Sequence, residues 1–226
     1  MTVGAVLWDM DGLLVDSEPI WTVAEVELAA TLGGVWTDEI KAAVVGTRLD
    51  ESVPTILRWY DVEPTPARVT ETSAWLLHRV AELFAGALPA RAGVLGLLAG
   101  LHAEGVPMAL VSSSFRVLVD AVLAHGFGPF DVTLAGDEVA CGKPGPEPYL
   151  TAAARLGVAP ASCVVLEDSP AGVASGLAAG CFVLAVPSVA GVEFQAGPRL
   201  AVAADLCGVT VAALCGMTAL PDRGQR

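Results

Sequence analysis

The sequence predicts an α/β fold: a parallel β-sheet with helices on both faces, and an all-helical module inserted after the first strand. Three observations predict it. Beyond residue 88, short apolar runs alternate with helical patterns. Between residues 16 and 87, by contrast, each recognisable pattern is helical. The chain of 226 residues is also 54% apolar and only 16% charged, which supports a sizeable core and excludes a disordered protein.

The first elements are a strand and the inserted helices. The apolar run from Val3 to Trp8 ends in an acidic loop and predicts a buried strand. Helical patterns then begin at four places: Asp16, Thr37, Asp50 and Thr65. At the last of them, Thr65-Pro66 is typical of an N-cap followed by proline in the first helical turn. Because no strand pattern interrupts this region, we expect a helical cap domain over residues 16–87.

The rest of the chain alternates between helices and strands. Helices are predicted over residues 91–104, 115–125 and 147–156, and in the small-residue stretch that follows Ser169. Strands are predicted over residues 107–111, 131–134, 163–166, 181–186 and 200–203. Together with residues 1–15, residues 88–226 form the expected α/β core domain. In such cores, ligands bind beyond the carboxyl ends of the parallel strands.

The charge balance limits the partners of the protein. Its 25 acidic and 12 basic side chains give a formal net charge of −13. Nucleic acids and anionic membranes bind surfaces rich in Lys and Arg, so we expect neither as a partner. Ser169 to Val192 is uncharged and has glycines at GxxxG spacing. Pro170 and Pro187 nevertheless favour a short helix and a buried strand over a membrane span.

The cysteines and the N-terminus predict a cytoplasmic location. The five cysteines form no CxxC pair, and such an odd, scattered set predicts buried, reduced thiols. Residues 1–8 lack the basic region of a signal peptide, and Asp9 and Asp11 interrupt any apolar region. We therefore expect a cytoplasmic protein, and a monomer.

Four polar clusters follow the predicted strands or lie in the loops beside them. They are Asp9-Met10-Asp11-Gly12, Ser112-Ser113-Ser114, Lys143 within Gly142–Pro146, and Glu167-Asp168-Ser169. Each cluster alone is ordinary, because Asp-x-Asp is a common turn and Ser or acidic residues often cap the next helix. Their joint occurrence at the ends of predicted strands instead indicates one site.

The side chains of these clusters suit phosphoryl transfer. Converging carboxylates repel one another unless a divalent cation lies among them, and ligands that are all oxygen favour Mg²⁺. Lys143 offers a positive charge for a phosphate, Ser112 offers a hydroxyl, and the amides at the Gly12 and Ser113 turns complete an anion cradle. One carboxylate of the Asp-x-Asp pair can attack phosphorus. The other can donate a proton to the leaving oxygen and then activate water.

These motifs resemble the haloacid dehalogenase superfamily, in the branch of small sugar-phosphate phosphatases and β-phosphoglucomutase-like enzymes. The resemblance spans nearly the whole chain and rests on Asp9–Leu13, Ser112, Lys143-Pro144 with Glu147-Pro148-Tyr149, and Glu167–Gly172. It implies a Rossmann-like core, with Asp9 as the nucleophile and Asp11 as the general acid and base. It also implies Mg²⁺ bound by Asp9, the Asp11 main-chain carbonyl and Asp168, with Glu167 nearby or acting through water. Residues 16–86 would be the cap that closes over the site.

Within this superfamily the resemblance leaves several functions open. Dehalogenases lack the second acid, so Asp11 argues against a carbon–halogen substrate. Mutases of the branch carry a histidine near the place where this chain has Trp21. The run from Trp8 to Trp21 and the loop Val45–Asp50 are more similar to hexose-6-phosphate phosphatases. A Mg²⁺-dependent phosphatase of small phosphomonoesters such as hexose 6-phosphates is favoured over a β-phosphoglucomutase-like mutase. A non-catalytic phosphosugar-binding regulator is the further alternative.

The cap contributes three candidate contacts for the substrate. Glu18 and Trp21 follow the first loop, and Arg48 lies beside the Gly46-Thr47 turn. Arg48 is the strongest of the three candidates because it offers a cationic donor on a loop. Each also has an ordinary explanation: an acid in a first helical turn, a packed aromatic ring and a solvated arginine.

Overall fold

The structure is a computed structural model that describes residues 3–44, 49–188 and 192–218. The chain divides into two compact units. The larger unit is Met1–Asp16 with Leu88–Arg226, and the smaller is Ser17–Ala87. Strand β1 (Ala5–Trp8) comes first and is completely buried.

Helices make up the smaller unit. In its described residues these are α1 (Glu18–Thr31), α2 (Asp38–Val44), α3 (Leu49–Trp59) and α4 (Pro66–Phe84). The hydroxyl of Thr65 accepts a hydrogen bond from the Arg68 amide, so the predicted cap of α4 is confirmed. Arg79 on α4 forms a two-pronged ion pair with Glu27 on α1, at 2.6 and 2.8 Å, and this pair ties the two helices together.

The larger unit is built on a parallel sheet. The other strands in the described residues are β2 (Met108–Val111), β3 (Val132–Leu134), β4 (Cys163–Glu167), β5 (Phe182–Ala185) and β6 (Leu200–Val202). The strands pair in the order β3-β2-β1-β4-β5-β6, and all of these pairs are parallel. The prediction of an α/β fold with a Rossmann-like parallel sheet is confirmed.

Helices follow the strands of the larger unit. They are α5 (Val94–Ala103), α6 (Arg116–Leu123), α7 (Glu147–Leu156), α8 (Pro170–Ala178) and α9 (Val211–Thr218). Helix α7 has its predicted bounds, and Gly157 ends it with a φ of 70°. The predicted start of α5 at residue 91 is wrong, because the Arg91 amide bonds to the Leu14 carbonyl and Gly93 has a φ of 84°. Helix α9 was not predicted, because it lacks the polar face that makes a helical period recognisable in a sequence.

The small-residue helix α8 packs closely on the sheet. A Cβ at Gly176 would lie 2.9 Å from Val183 and 3.2 Å from Val165, so the GxxxG spacing serves contact between helix and sheet. Among the described helices, we find none that is both long and apolar enough to cross a membrane. The expected burial of the cysteines holds for Cys163 and Cys181 but is wrong for Cys141 and Cys207, which lie in exposed turns.

Candidate active site

The sheet order brings three strand ends together. Strand β1 lies between β2 and β4, so the residues that follow these strands are neighbours at one edge of the sheet. Asp9 follows β1, Ser112 follows β2, and Glu167 ends β4 with Asp168 directly after it. All four side chains are buried.

Lys143 lies at the centre of this edge. Its Nζ donates hydrogen bonds to Oδ1 of Asp9 at 2.5 Å, to Oε1 of Glu167 at 2.7 Å and to the carbonyl of Val111 at 3.0 Å. The side chain is only 4% exposed. An ammonium group has three protons, so these three acceptors fix its position and orientation.

Negative charge exceeds positive charge in this group of described side chains. Burial by itself would lower the pKa of Lys143, but Asp9 and Glu167 outweigh it and raise this pKa above its ordinary value. Burial, with the charges of Glu167 and Asp168, raises the pKa of Asp9 against the opposing effect of Lys143. Burial first and Glu167 second raise the pKa of Asp168 to about 7. One ammonium group thus faces three carboxyl groups, and further positive charge would stabilise their ionised forms.

Three carboxyl groups lie close enough together to attract a metal ion. One oxygen from each of Asp9, Glu167 and Asp168 lies within 4.8 Å of the others. A set of carboxylate oxygens without sulfur or imidazole suits a hard cation. The excess negative charge points the same way, because a cation between the carboxylates would remove their repulsion.

Glu167 is already occupied by protein donors. Its Oε1 accepts hydrogen bonds from Lys143 at 2.7 Å and from the Tyr149 hydroxyl at 2.8 Å. Its Oε2 accepts from the Asp168 amide at 3.0 Å and from the amide and hydroxyl of Ser169 at 3.1 and 3.0 Å. A carboxylate accepts about four hydrogen bonds, so Glu167 has little capacity left for a direct bond to a metal. It is better suited to hold the groups around it than to bind the ion itself.

Asp168 is held against a glycine turn. Gly12 has a φ of 81°, and a Cβ at this residue would lie 2.1 Å from Oδ2 of Asp168. Ser188, which follows β5, donates a short hydrogen bond to the same oxygen. Sequence reasoning missed Ser188. Its position beyond the carboxyl end of a strand was the available signal.

Asp11 is held by the serine cluster. Its Oδ2 accepts hydrogen bonds from Ser114 Oγ at 2.8 Å and from Ser112 Oγ at 3.3 Å. The Ser114 amide donates to Ser112 Oγ at 2.9 Å, which orients the hydroxyl of Ser112. Ser114 had no predicted role, although it belongs to the predicted cluster. Ser113 is exposed, and its main chain packs against Gly136, where a Cβ would lie 2.1 Å from the Ser113 carbonyl.

Two residues of α7 support the loop that carries Lys143. The carboxylate of Glu147 accepts hydrogen bonds from the amides of Ala140 and Cys141 at 2.9 and 2.7 Å. Tyr149 is completely buried and lies beside Lys143, with Nζ 4.9 Å from the centre of its ring. Sequence reasoning used both residues for the resemblance but gave them no role.

The cap candidates belong to the smaller unit. Glu18 and Trp21 lie on α1, and Oε2 of Glu18 is 3.8 Å from Nζ of Lys41. Arg48 lies outside the described residues. A contact of these three residues with a substrate therefore stays a prediction.

Comparisons with known proteins show the family of this chain. Residues 3–180 match the family model described as haloacid dehalogenase-like hydrolase. Hexitol phosphatase A of Escherichia coli (strain K12) is 38% identical, over 80% of this chain and 81% of that protein. Hexitol phosphatase B of Escherichia coli O157:H7 is 33% identical, over 95% of this chain and 94% of that protein.

A solved structure extends the similarity to the whole fold. The crystal structure of a CbbY variant from Rhodobacter sphaeroides, in complex with xylulose-1,5-bisphosphate, has a TM-score of 0.82 and 28% identity. The alignment covers 94% of this chain and 99% of the CbbY chain. The resemblance that the motifs indicated is confirmed, and the chain belongs to the haloacid dehalogenase-like hydrolase family, in the branch of its sugar-phosphate phosphatases.

Proposed function

We propose that this enzyme hydrolyses small sugar phosphates and sugar-alcohol phosphates with Mg²⁺, through an aspartyl phosphate on Asp9. The observation that carries the proposal is the buried group of Asp9, Glu167 and Asp168 around Lys143. It combines a carboxylate nucleophile, a cation for the phosphate and oxygen ligands for a hard metal ion.

In the first step, Asp9 takes the phosphoryl group. A carboxylate oxygen of Asp9 forms a bond to phosphorus while the bond from phosphorus to the ester oxygen of the substrate breaks. Asp11 gives its proton to that oxygen, so the sugar leaves as a neutral alcohol. Lys143 offers its positive charge to the phosphate, Ser112 offers its hydroxyl, and the Ser113 amide adds a further donor. The expected role of the Gly12 amide is wrong, because this amide already donates to the Val15 carbonyl at 2.9 Å.

In the second step, water releases the phosphate. Asp11, now ionised, takes a proton from a water molecule, and the water oxygen attacks phosphorus. The bond between phosphorus and Asp9 breaks, inorganic phosphate leaves, and both carboxyl groups return to their starting states. The single hydroxyl proton of Ser112 is needed by the phosphate, so Ser114 is the hydroxyl that stays on Asp11.

The metal ligands we propose are Asp9, the main-chain carbonyl of Asp11 and Asp168. Glu167 does not bond to the ion directly, because its oxygens already accept five hydrogen bonds. When bound, Mg²⁺ supplies positive charge that offsets the carboxylates and the phosphate. The donor set supports Mg²⁺, which prefers oxygen ligands and keeps several waters for substrate phosphate to replace.

The relatives support the substrate class. Two of them are named hexitol phosphatases, and the CbbY variant was crystallised with a sugar bisphosphate. Phosphate contacts are common to all phosphomonoesters, so discrimination requires contacts with the sugar. Glu18, Trp21 and Arg48 of the predicted cap are the residues we propose for those contacts.

Phosphate release from a panel of esters tests the proposal. The panel contains hexose 6-phosphates, hexitol 6-phosphates, nucleoside monophosphates and p-nitrophenyl phosphate, each with Mg²⁺ and with a chelator. The sugar esters should exceed the aryl ester in kcat/KM by about tenfold, or about 1.4 kcal/mol, and the chelator should abolish release.

Each contrary result identifies a different error. Full activity in the chelator would remove the metal from the mechanism, and preference for nucleotides would overturn the substrate class. Isomer formation from a sugar monophosphate and its bisphosphate would favour the mutase. Binding of sugar phosphates without release of phosphate from any ester would favour the non-catalytic regulator.

A further inference from the structure

Tyr149 contacts both charged partners of the central ion pair. It lies on α7 and is completely buried. Its hydroxyl donates a hydrogen bond of 2.8 Å to Oε1 of Glu167, and its ring centre is 4.9 Å from Nζ of Lys143. Nζ of Lys143 and Oε1 of Glu167 are themselves only 2.7 Å apart. One side chain therefore touches both members of the pair.

The position of Lys143 depends on a competition between two carboxylates. Its Nζ is 2.5 Å from Asp9 and 2.7 Å from Glu167, and these two acceptors pull the ammonium group in different directions. The Tyr149 hydroxyl shares Oε1 of Glu167 with Lys143, which weakens the attraction of that oxygen for the ammonium group. The ring attracts the ammonium group as well, through the negative charge on its face. The hydrogen bond thus limits the pull of Glu167 on Nζ, and the ring adds an attraction of its own.

We infer that Tyr149 is a positioning residue that holds Lys143 at the point where it meets both Asp9 and the substrate phosphate. This inference rests on the proposed function, in which Lys143 binds the transferred phosphoryl group. In that mechanism Tyr149 does not touch the substrate and acts through Lys143. If Tyr149 only filled space in the core and formed a hydrogen bond, removal of its hydroxyl would lower the stability of the protein but leave Lys143 in place.

Two substitutions separate the contributions of the hydroxyl and the ring. Tyr149→Phe removes the hydroxyl and keeps the ring, whereas Tyr149→Leu removes both. Leu156→Ala is the matched control, because Leu156 packs on the same core from the opposite end of α7. With p-nitrophenyl phosphate and saturating Mg²⁺, we expect kcat to fall about tenfold in Tyr149→Phe and about a hundredfold in Tyr149→Leu. In Leu156→Ala, kcat should stay within about twofold at a temperature where all variants are folded.

A second measurement follows Lys143 without relying on activity. The chain has two lysines, Lys41 and Lys143, so ¹⁵N-lysine labelling produces at most two side-chain ammonium signals. The side chain of Lys143 is 4% exposed and that of Lys41 is 37% exposed, so slow exchange with water should preserve the Lys143 signal. A Lys41→Arg variant assigns it. Tyr149→Phe should shift this signal, and Tyr149→Leu should also remove the effect of the aromatic ring current.

The two measurements decide the inference together. A graded loss of kcat with a displaced Lys143 signal, both absent from Leu156→Ala, supports it. A Tyr149→Phe variant with the kcat and the Lys143 signal of the original protein would overturn it. If the original protein hydrolyses no phosphate ester, the proposed function fails, and the Lys143 signal alone still decides whether Tyr149 holds the ammonium group.

Discussion

A methyl group on residue 12 has no room in this structure. A Cβ at Gly12 would lie 2.1 Å from Oδ2 of Asp168 and 2.8 Å from Oγ of Ser188, whereas real Cβ atoms stay at least 3.0 Å from other heavy atoms. In Gly12→Ala, Asp168 must therefore move by about 1 Å. Distances in metal sites tolerate changes of only about 0.2 Å, so a carboxylate displaced this far is a poor ligand.

Gly126 offers a control with the same backbone strain. Its φ of 80° matches the 81° of Gly12, but among the described residues no atom lies within 4 Å of a Cβ placed there. Alanine in this conformation costs about 1 kcal/mol at either position, or about 2–4 °C in Tm for a chain of this size. Gly12→Ala alone should also raise the Mg²⁺ concentration for half-maximal activity, by about tenfold to a hundredfold.

A Mg²⁺ titration of p-nitrophenyl phosphate hydrolysis measures the difference, and circular dichroism supplies the two Tm values. Isothermal titration of Mg²⁺ into each variant gives the metal affinity independently of turnover. The reasoning is refuted if Gly12→Ala and Gly126→Ala require the same Mg²⁺ concentration and differ only in Tm.

Three further predictions concern the nucleophile, the serine cluster and the helical unit. Asp9→Asn should keep the fold and lower turnover by about a thousandfold, since the amide cannot form the phosphoryl intermediate; a well-folded, active variant would contradict the assignment. Ser114→Ala should lower kcat/KM about tenfold for an alkyl sugar phosphate but less than about twofold for p-nitrophenyl phosphate, because the nitrophenolate leaving group needs no proton from Asp11. Equal losses for the two substrates would mean that Ser114 only stabilises its loop. Burial and then the charge of Glu18 raise the pKa of Glu25 from 4.5 to about 7. The folded state is therefore favoured below pH 4.5, and this stability is lost as the pH rises towards 7. Urea unfolding of Glu25→Gln and of the original protein measures this effect. The free energy of unfolding of the variant, relative to the original protein, should be higher at pH 8 than at pH 4.5 by only about 1 kcal/mol, because Glu25 is partly exposed. An equal difference at both pH values would contradict the raised pKa.

The sequence alone predicted most of the helices and strands and the polar clusters that form the site. Helix α7 has its predicted bounds because its signals are local: an apolar period inside it and Gly157, with a φ of 70°, directly after it. The polar clusters were predictable for a similar reason, since each directly follows an apolar strand or lies in the next loop. Local signals failed where a distant contact decides the conformation. At Gly93, for example, a Cβ would lie 2.1 Å from the main chain of Leu206, and α5 begins only after this close approach.

Only the tertiary structure decided which of these residues meet. Lys143 bonds to Asp9 across 134 positions of sequence, and Ser114 bonds to Asp11 across 103. These contacts exist because β1 lies between β2 and β4 in the sheet, and the spacing of apolar residues carries no information about that order. The hydrogen bond from Tyr149 to Glu167 and the position of Tyr149 beside Lys143 also depend on how α7 packs on the sheet. Sequence patterns specify what each segment buries, whereas the identity of its neighbours follows from packing all segments into one core.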